Sequence, residues 1–190
     1  MVVNDKVLVR EMKEAYKGWG YTVMVMDGDK WVIQSNDAWA VEIEGQDNVP
    51  NEVKALIVLH MGHLPKEQRC YRIYKGSKGT CIQKEVYAVA VQNWKSFGRV
   101  REEMDVLPVE VRPTALTYGR RRVWQRIGDK QVLLIDPRFE GLMDIGAESV
   151  VRAAAQQIYL EGEISCVYIN RSIGGASEEL LNHLAQVKWT

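Results

Sequence analysis

The chain has 190 residues, 46% hydrophobic and 26% charged, the make-up of a soluble globular protein with one ordinary domain or two small lobes. Lys and Arg number 25 and Asp and Glu also 25, which excludes whole-molecule attraction to nucleic acid or to an anionic membrane and leaves only local patches. An odd count of three cysteines, no charged-then-apolar leader, and no apolar run near the ~18 residues that span a membrane together predict free thiols, a cytoplasmic setting and no membrane contact.

Taken in chain order, Asn4 or Asp5 caps a first helix that runs to about Lys17. Leu8, Met12, Ala15 and Tyr16 form its apolar stripe, while Arg10, Lys13, Glu14 and Lys17 lie away from it. Gly18 and Gly20 end it. "YTVMVMDGDKWVIQ" reads as a hairpin turning at Asp27-Gly28, because both flanking runs are rich in β-branched and aromatic residues. "AWAVEIE" alternates and predicts a third strand with Trp39, Val41 and Ile43 inward. A second helix follows Pro50, apolar nearly all round because Val58 and Leu59 join Val53, Leu56 and Ile57, and so is expected to be well buried. "RCYRIYKGSKGTCIQKEVYAVAV" reads as another hairpin around Gly76-Ser77-Lys78-Gly79.

"SFGRVREEMDVLP" is polar and aperiodic, and suggests a boundary between an N-terminal lobe, 1–97, and a C-terminal lobe, 98–190. Beyond it "VEVRPTALTY", "RRVWQRI" and "QVLLID" are strand-like. Glu148 to Leu160 aligns Val150, Val151, Ala154 and Ile158 as a third helix. "ISCVYIN" is a strand, and Ser177 to Val187 a last helix. The expected fold is therefore α+β, with antiparallel β-hairpins and about four helices.

The tripeptide Gly-Asp-Lys stands at residues 28–30 and again at 128–130. At that 100-residue offset Val23/Val123, Val32/Val132, Ala55/Ala155 and Gly62/Gly162 also agree, which leaves two readings, two similar lobes from an internal duplication or two unrelated α+β halves. The order helix, three strands, helix and further strands, taken twice, resembles that of DNA sliding clamp domains and of several unrelated α+β folds. No family-specific motif accompanies it.

Few motifs carry chemistry. His60 and His63 with Cys70 and Cys81 form the single His/Cys cluster, but their spacing does not match structural zinc sites, so no metal and no cofactor is expected. Cys70 and Cys166 read as core thiols. Glu42 and Glu44 share a strand face without a special basic partner, which argues against acid/base work. The Gly-rich turn before Ser177 is followed by Glu178 and Glu179, which would repel phosphate.

"YGRRRVWQRIGDK" is the most informative stretch. Period-2 alternation puts Arg120, Arg122, Trp124 and Arg126 on one strand face, an expected exposed surface for phosphates and for stacking on a base. The leading reading is a non-catalytic binding or assembly protein that contacts nucleic acid or an acidic protein there. The alternatives are a small enzyme with a site between lobes around His60, His63 and Cys81, or a structural subunit of a larger assembly. An ordinary solvated face paired with the acidic segment Asp136–Glu163, or a subunit contact, explains the arginines more simply.

Overall fold

Asn4 caps the first helix, its side-chain oxygen accepting the backbone N–H of Val7, and α1 runs Asp5–Lys17 in the computed structural model of the chain. The structure describes residues 1–35, 38–98, 109–128, 131–154 and 157–171, with isolated positions at 182, 183 and 186. After α1 come β1 (Tyr21–Met26), β2 (Lys30–Ser35) and β3 (Trp39–Glu44), then α2 (Asn51–Met61), β4 (Arg69–Gly76), β5 (Gly79–Glu85) and α3 (Tyr87–Gly98). The second half holds β6 (Val109–Tyr118), β7 (Arg121–Arg126), β8 (Val132–Ile135), the short α4 (Pro137–Glu140), β9 (Arg152–Ala154), β10 (Gln157–Glu161) and β11 (Ser165–Asn170).

All these strands join one antiparallel sheet in the order β5-β4-β1-β2-β3-β11-β10-β9-β6-β7-β8. The fold is α+β, an 11-stranded sheet with four helices among the described residues. The two halves of the chain meet inside the sheet, where β3 pairs with β11 from Ile43↔Ser165 to Trp39↔Ile169. On either side of β11 one strand order recurs: 5-4-1-2-3 in the first half and 10-9-6-7-8 in the second.

Alternation of side chains gives the sheet two apolar faces. On one, Leu8 and Met12 of α1 and Val53, Leu56 and Ile57 of α2 pack on Ile33, Val41, Ile43, Trp124 and Ile158, with Phe139 of α4 at the margin. On the other, Trp94 of α3, with Tyr87, Ala90 and Val91 partly buried beside it, covers Met24, Val32, Ala40, Cys70, Tyr159 and Tyr168. Cys70 and Cys166 are buried as expected of core thiols, and burial pushes the Cys70 thiol up to about 12. Among the described residues no helix is long and apolar enough to cross a membrane.

Several expectations need correction. Residues 87–91 are helix and not the tail of a hairpin. Tyr87, Ala90, Val91 and Trp94 stand at i, i+3, i+4 and i+7, a helical stripe whose first turn also alternates like a strand. Glu148–Leu160 is not a helix; β9 and β10 pair there from Gln157↔Ala154 to Tyr159↔Arg152. Ile158 and Leu160 face one core and Tyr159 the other, so a strand covered on both sides shows no alternation to read. Helix α2 is not buried all round, since Leu59 is 77% exposed. Most of "SFGRVREEMDVLP" and of the helix expected at Ser177–Val187 lies outside the described residues.

The 100-residue offset does not match the topology. It sets α2 against β9 and β10, and Gly28, between β1 and β2, against Gly128, between β7 and β8. By strand order the counterpart of Gly28 is Gly119, in the turn between β6 and β7; both glycines have positive φ, as such turns require. A hairpin turn recruits Gly and Asp wherever it occurs, so the matching tripeptide marked a turn and not a register.

Candidate functional site

Strand β7 carries three of the four residues expected to form an exposed face, with Arg120 in the turn before it. Trp124 is not exposed. It is 1% accessible and belongs to the core on the side of the sheet that α1 and α2 also cover, because period 2 puts it on that apolar side. Its indole N–H donates to Glu140 Oε1 at 2.7 Å. Arg122 lies two residues earlier on the same face and pairs with Glu140 Oε2 at 3.0 Å. One carboxylate on α4 thus satisfies a buried indole and a half-exposed guanidinium together. Arg126 donates to Gln131 Oε1 at 3.1 Å, and Arg120 is exposed.

The larger cationic feature is one the sequence reading passed over. Lys6, Arg10, Lys13 and Lys17 stand at i, i+4, i+7 and i+11, so α1 presents all four on its outer face, and all are exposed. With Lys75 of β4, Val9, Tyr16 and the single carboxylate Glu14 they line an open groove of about 440 Å³. Lys17 pairs with Glu14 at 2.7 Å, an exposed contact that adds little stability and leaves the lysine available. Among the described residues Lys6, Lys13 and Lys75 have no carboxylate partner.

Arg10 joins this row to α4. Its guanidinium holds the buried Glu11 carboxylate at 2.9 Å and reaches the Arg138 carbonyl at 3.3 Å. Arg138 in turn grips Asp136 through three contacts of 2.6 to 3.2 Å and stacks over the Phe139 ring at 5.2 Å. Burial opposes the charge on Asp136, but the hydrogen bonds from Arg138 outweigh it and hold the carboxyl below its usual range. A row of cations runs from Lys75 and Lys17 along α1 to Arg138 and Arg122, interleaved with the carboxylates of Glu14, Glu11, Asp136 and Glu140, so that among the described residues Lys6, Lys13 and Lys75 carry its unpaired charge. The sequence signal was present in the 3.6-residue spacing of the α1 lysines, but their charge is balanced elsewhere in a neutral chain.

His60, His63 and Cys81 do not come together. His60 stacks on Tyr16 with ring centroids 4.1 Å apart, on the α1 face of the sheet. Cys81 faces the other way: Thr80, its neighbour on β5, is the residue that meets Tyr16 Oη, at 2.8 Å. His63 Nδ1 donates to the Leu64 carbonyl at 2.7 Å. Among the described residues no three His, Cys, Asp or Glu side chains gather as metal ligands. Glu42 and Glu44 do have a basic partner, Lys30, at 2.9 Å from each.

His60 gives a pH-dependent prediction. Burial pushes the Tyr21 phenol well above its usual range, so it keeps its proton, and its Oη lies 2.8 Å from His60 Nδ1, where the O–H can donate only to a neutral imidazole. Burial lowers the His60 pKa accordingly. The unfolded chain then binds the proton first, so this contribution is complete above about pH 6.5 and is lost as pH falls from there through the folded value. The melting temperature should drop between pH 7.5 and 5.5, and His60→Gln, which still accepts from Tyr21, should flatten that drop. Equal drops in both proteins would sink the assignment.

No family model matches the chain, and no curated protein matches it. Among solved structures it is similar to a candidate DNA polymerase III beta subunit from Eubacterium rectale ATCC 33656, at 9% identity and a TM-score of 0.38, over 93% of this chain. The chain spans 65% of that protein's chain. What this chain binds is therefore read from its own side chains.

Proposed function

We propose that the chain is a non-catalytic binding protein whose helical face takes nucleic acid along the α1 band. The observation that carries this is the exposed row Lys6, Arg10, Lys13 and Lys17 bordering an open groove with Lys75. Their spacing lays four cations along about 17 Å of helix, at ~1.5 Å per residue, a length suited to successive backbone phosphates. Arg138 and Arg122 extend the band, and Arg120 and Arg126 belong to the same proposal as flanking contacts, without Trp124. The recurrence of one strand order on both sides of β11 supports two related lobes, in a register set by β1 and β6.

Because the net charge is zero, attraction is local and affinity depends on the band alone. Anisotropy titrations of a labelled oligonucleotide at several salt concentrations should give a log–log slope near −3 to −4, about −0.9 for each of some four phosphates on duplex. Lys6→Ala with Lys13→Ala should weaken binding and reduce the slope by about two. Stability should hold within ~0.5 kcal/mol, since both side chains are exposed. No binding at low salt would exclude nucleic acid and leave an acidic protein as the partner to seek.

A further inference from the structure

We infer that the turn after α1 presents Trp19 as a stacking platform for an unpaired base, so that the band prefers single-stranded nucleic acid. This rests on the nucleic-acid reading above and adds the substrate class to it.

Trp19 is 77% exposed, although the backbone that carries it is pinned on all sides. The Gly18 N–H donates to the Ala15 carbonyl at 3.0 Å, and the Gly20 N–H to the same carbonyl at 2.8 Å. The Trp19 carbonyl accepts from Arg72 Nη2 at 2.9 Å. Gly20 has φ +89°, and a Cβ there would lie 2.7 Å from the Ile73 carbonyl oxygen, so the turn is pressed against β4. A large apolar ring is thus held out in water by a rigid turn. Trp124 and Trp31 show the opposite outcome, both buried with their indole N–H bonded to a carboxylate.

Cations outnumber the one nearby carboxylate, Glu14, around the turn that carries Trp19. Lys17 lies two residues before it, on the groove that Lys75 and Tyr16 also line. The Arg72 guanidinium reaches the Trp19 backbone carbonyl from β4. A base stacked on the indole would have its flanking phosphates near cations on both sides. In a duplex interior both faces of each base are already stacked, so an indole on a protein surface can engage only a single strand or an end.

The test compares a single-stranded 20-mer with a closed circular duplex, which has neither ends nor unpaired bases, as competitors of a labelled single strand, using wild type, Trp19→Ala, Trp19→Leu and Trp19→Phe. Single-strand affinity should fall roughly 5- to 100-fold in Trp19→Ala and Trp19→Leu and stay close to wild type in Trp19→Phe. Affinity for the duplex should change less than about twofold. Melting curves should be unchanged, and Trp19→Leu keeps the comparison open should the alanine variant unfold early. Binding that is indifferent to Trp19, or equal losses on both competitors, would overturn the stacking role and leave the cationic band intact. No binding of either nucleic acid by wild type would overturn both, and the exposed indole would then mark a protein contact.

Discussion

Gly20→Ala should destabilise the chain by about 2–4 kcal/mol, through positive-φ strain and overlap with backbone. The added methyl would meet the Ile73 carbonyl oxygen at 2.7 Å and Tyr74 Cβ at 2.8 Å, atoms fixed in the centre of β4. Neither can turn aside as a flexible side chain could. Gly28→Ala is the control: φ is +76° there, but nothing lies within 4 Å, so only the ~1 kcal/mol of left-handed strain applies. Urea unfolding of both variants would measure the difference. Similar losses at both positions would show that the contact with β4 is looser than drawn. A proportionate fall in melting temperature, ~2–4 °C per kcal/mol for a chain of this size, is the accompanying signature.

Glu140→Ala should cost about 2–3 kcal/mol, because it orphans the buried Trp124 N–H and removes the partner of Arg122. Most of that cost belongs to the indole. Arg122 is 44% exposed and recovers water, whereas the ring is shut in the core. Glu140→Gln keeps an acceptor for the indole and should recover more than half of the loss. If Glu140→Gln is as damaging as Glu140→Ala, the ion pair to Arg122 matters more than the indole bond. Trp124 fluorescence should shift to the red in Glu140→Ala as water reaches the ring.

The sequence and the structure agree where a short segment decides its own conformation. Asn4 caps α1 because its carboxamide reaches a free N–H three residues on, and the turn from β1 into β2 follows Asp27 because Gly28 and Asp29 take positive φ. They disagree where distant partners decide. Residues 152–161 hold two alanines among 152–154 and a helical spacing, yet they pair as β9 and β10 between β6 and β11. Local propensity is worth tenths of a kcal/mol per residue, while burial on both faces of a sheet is worth about 1.5–3 kcal/mol for each large side chain.

The candidate site divides in the same way. Alternation along β7 was legible and put Arg122, Trp124 and Arg126 on one side, as they are. Which side faced water was not legible, since a strand with arginines at i and i+4 and an indole between them can turn either face to a core. Packing of α4 over β7 decided it, burying the indole against Glu140 and leaving the guanidinium half in solvent. By itself the sequence determined the fold class, α1 and the first two hairpins, because capping, turn chemistry and helical period act within a few residues. Only the tertiary structure decided the order of the 11 strands, the two-sided burial of β10, the burial of Trp124 and the exposure of Trp19, because each depends on which distant segments exclude water from a given face.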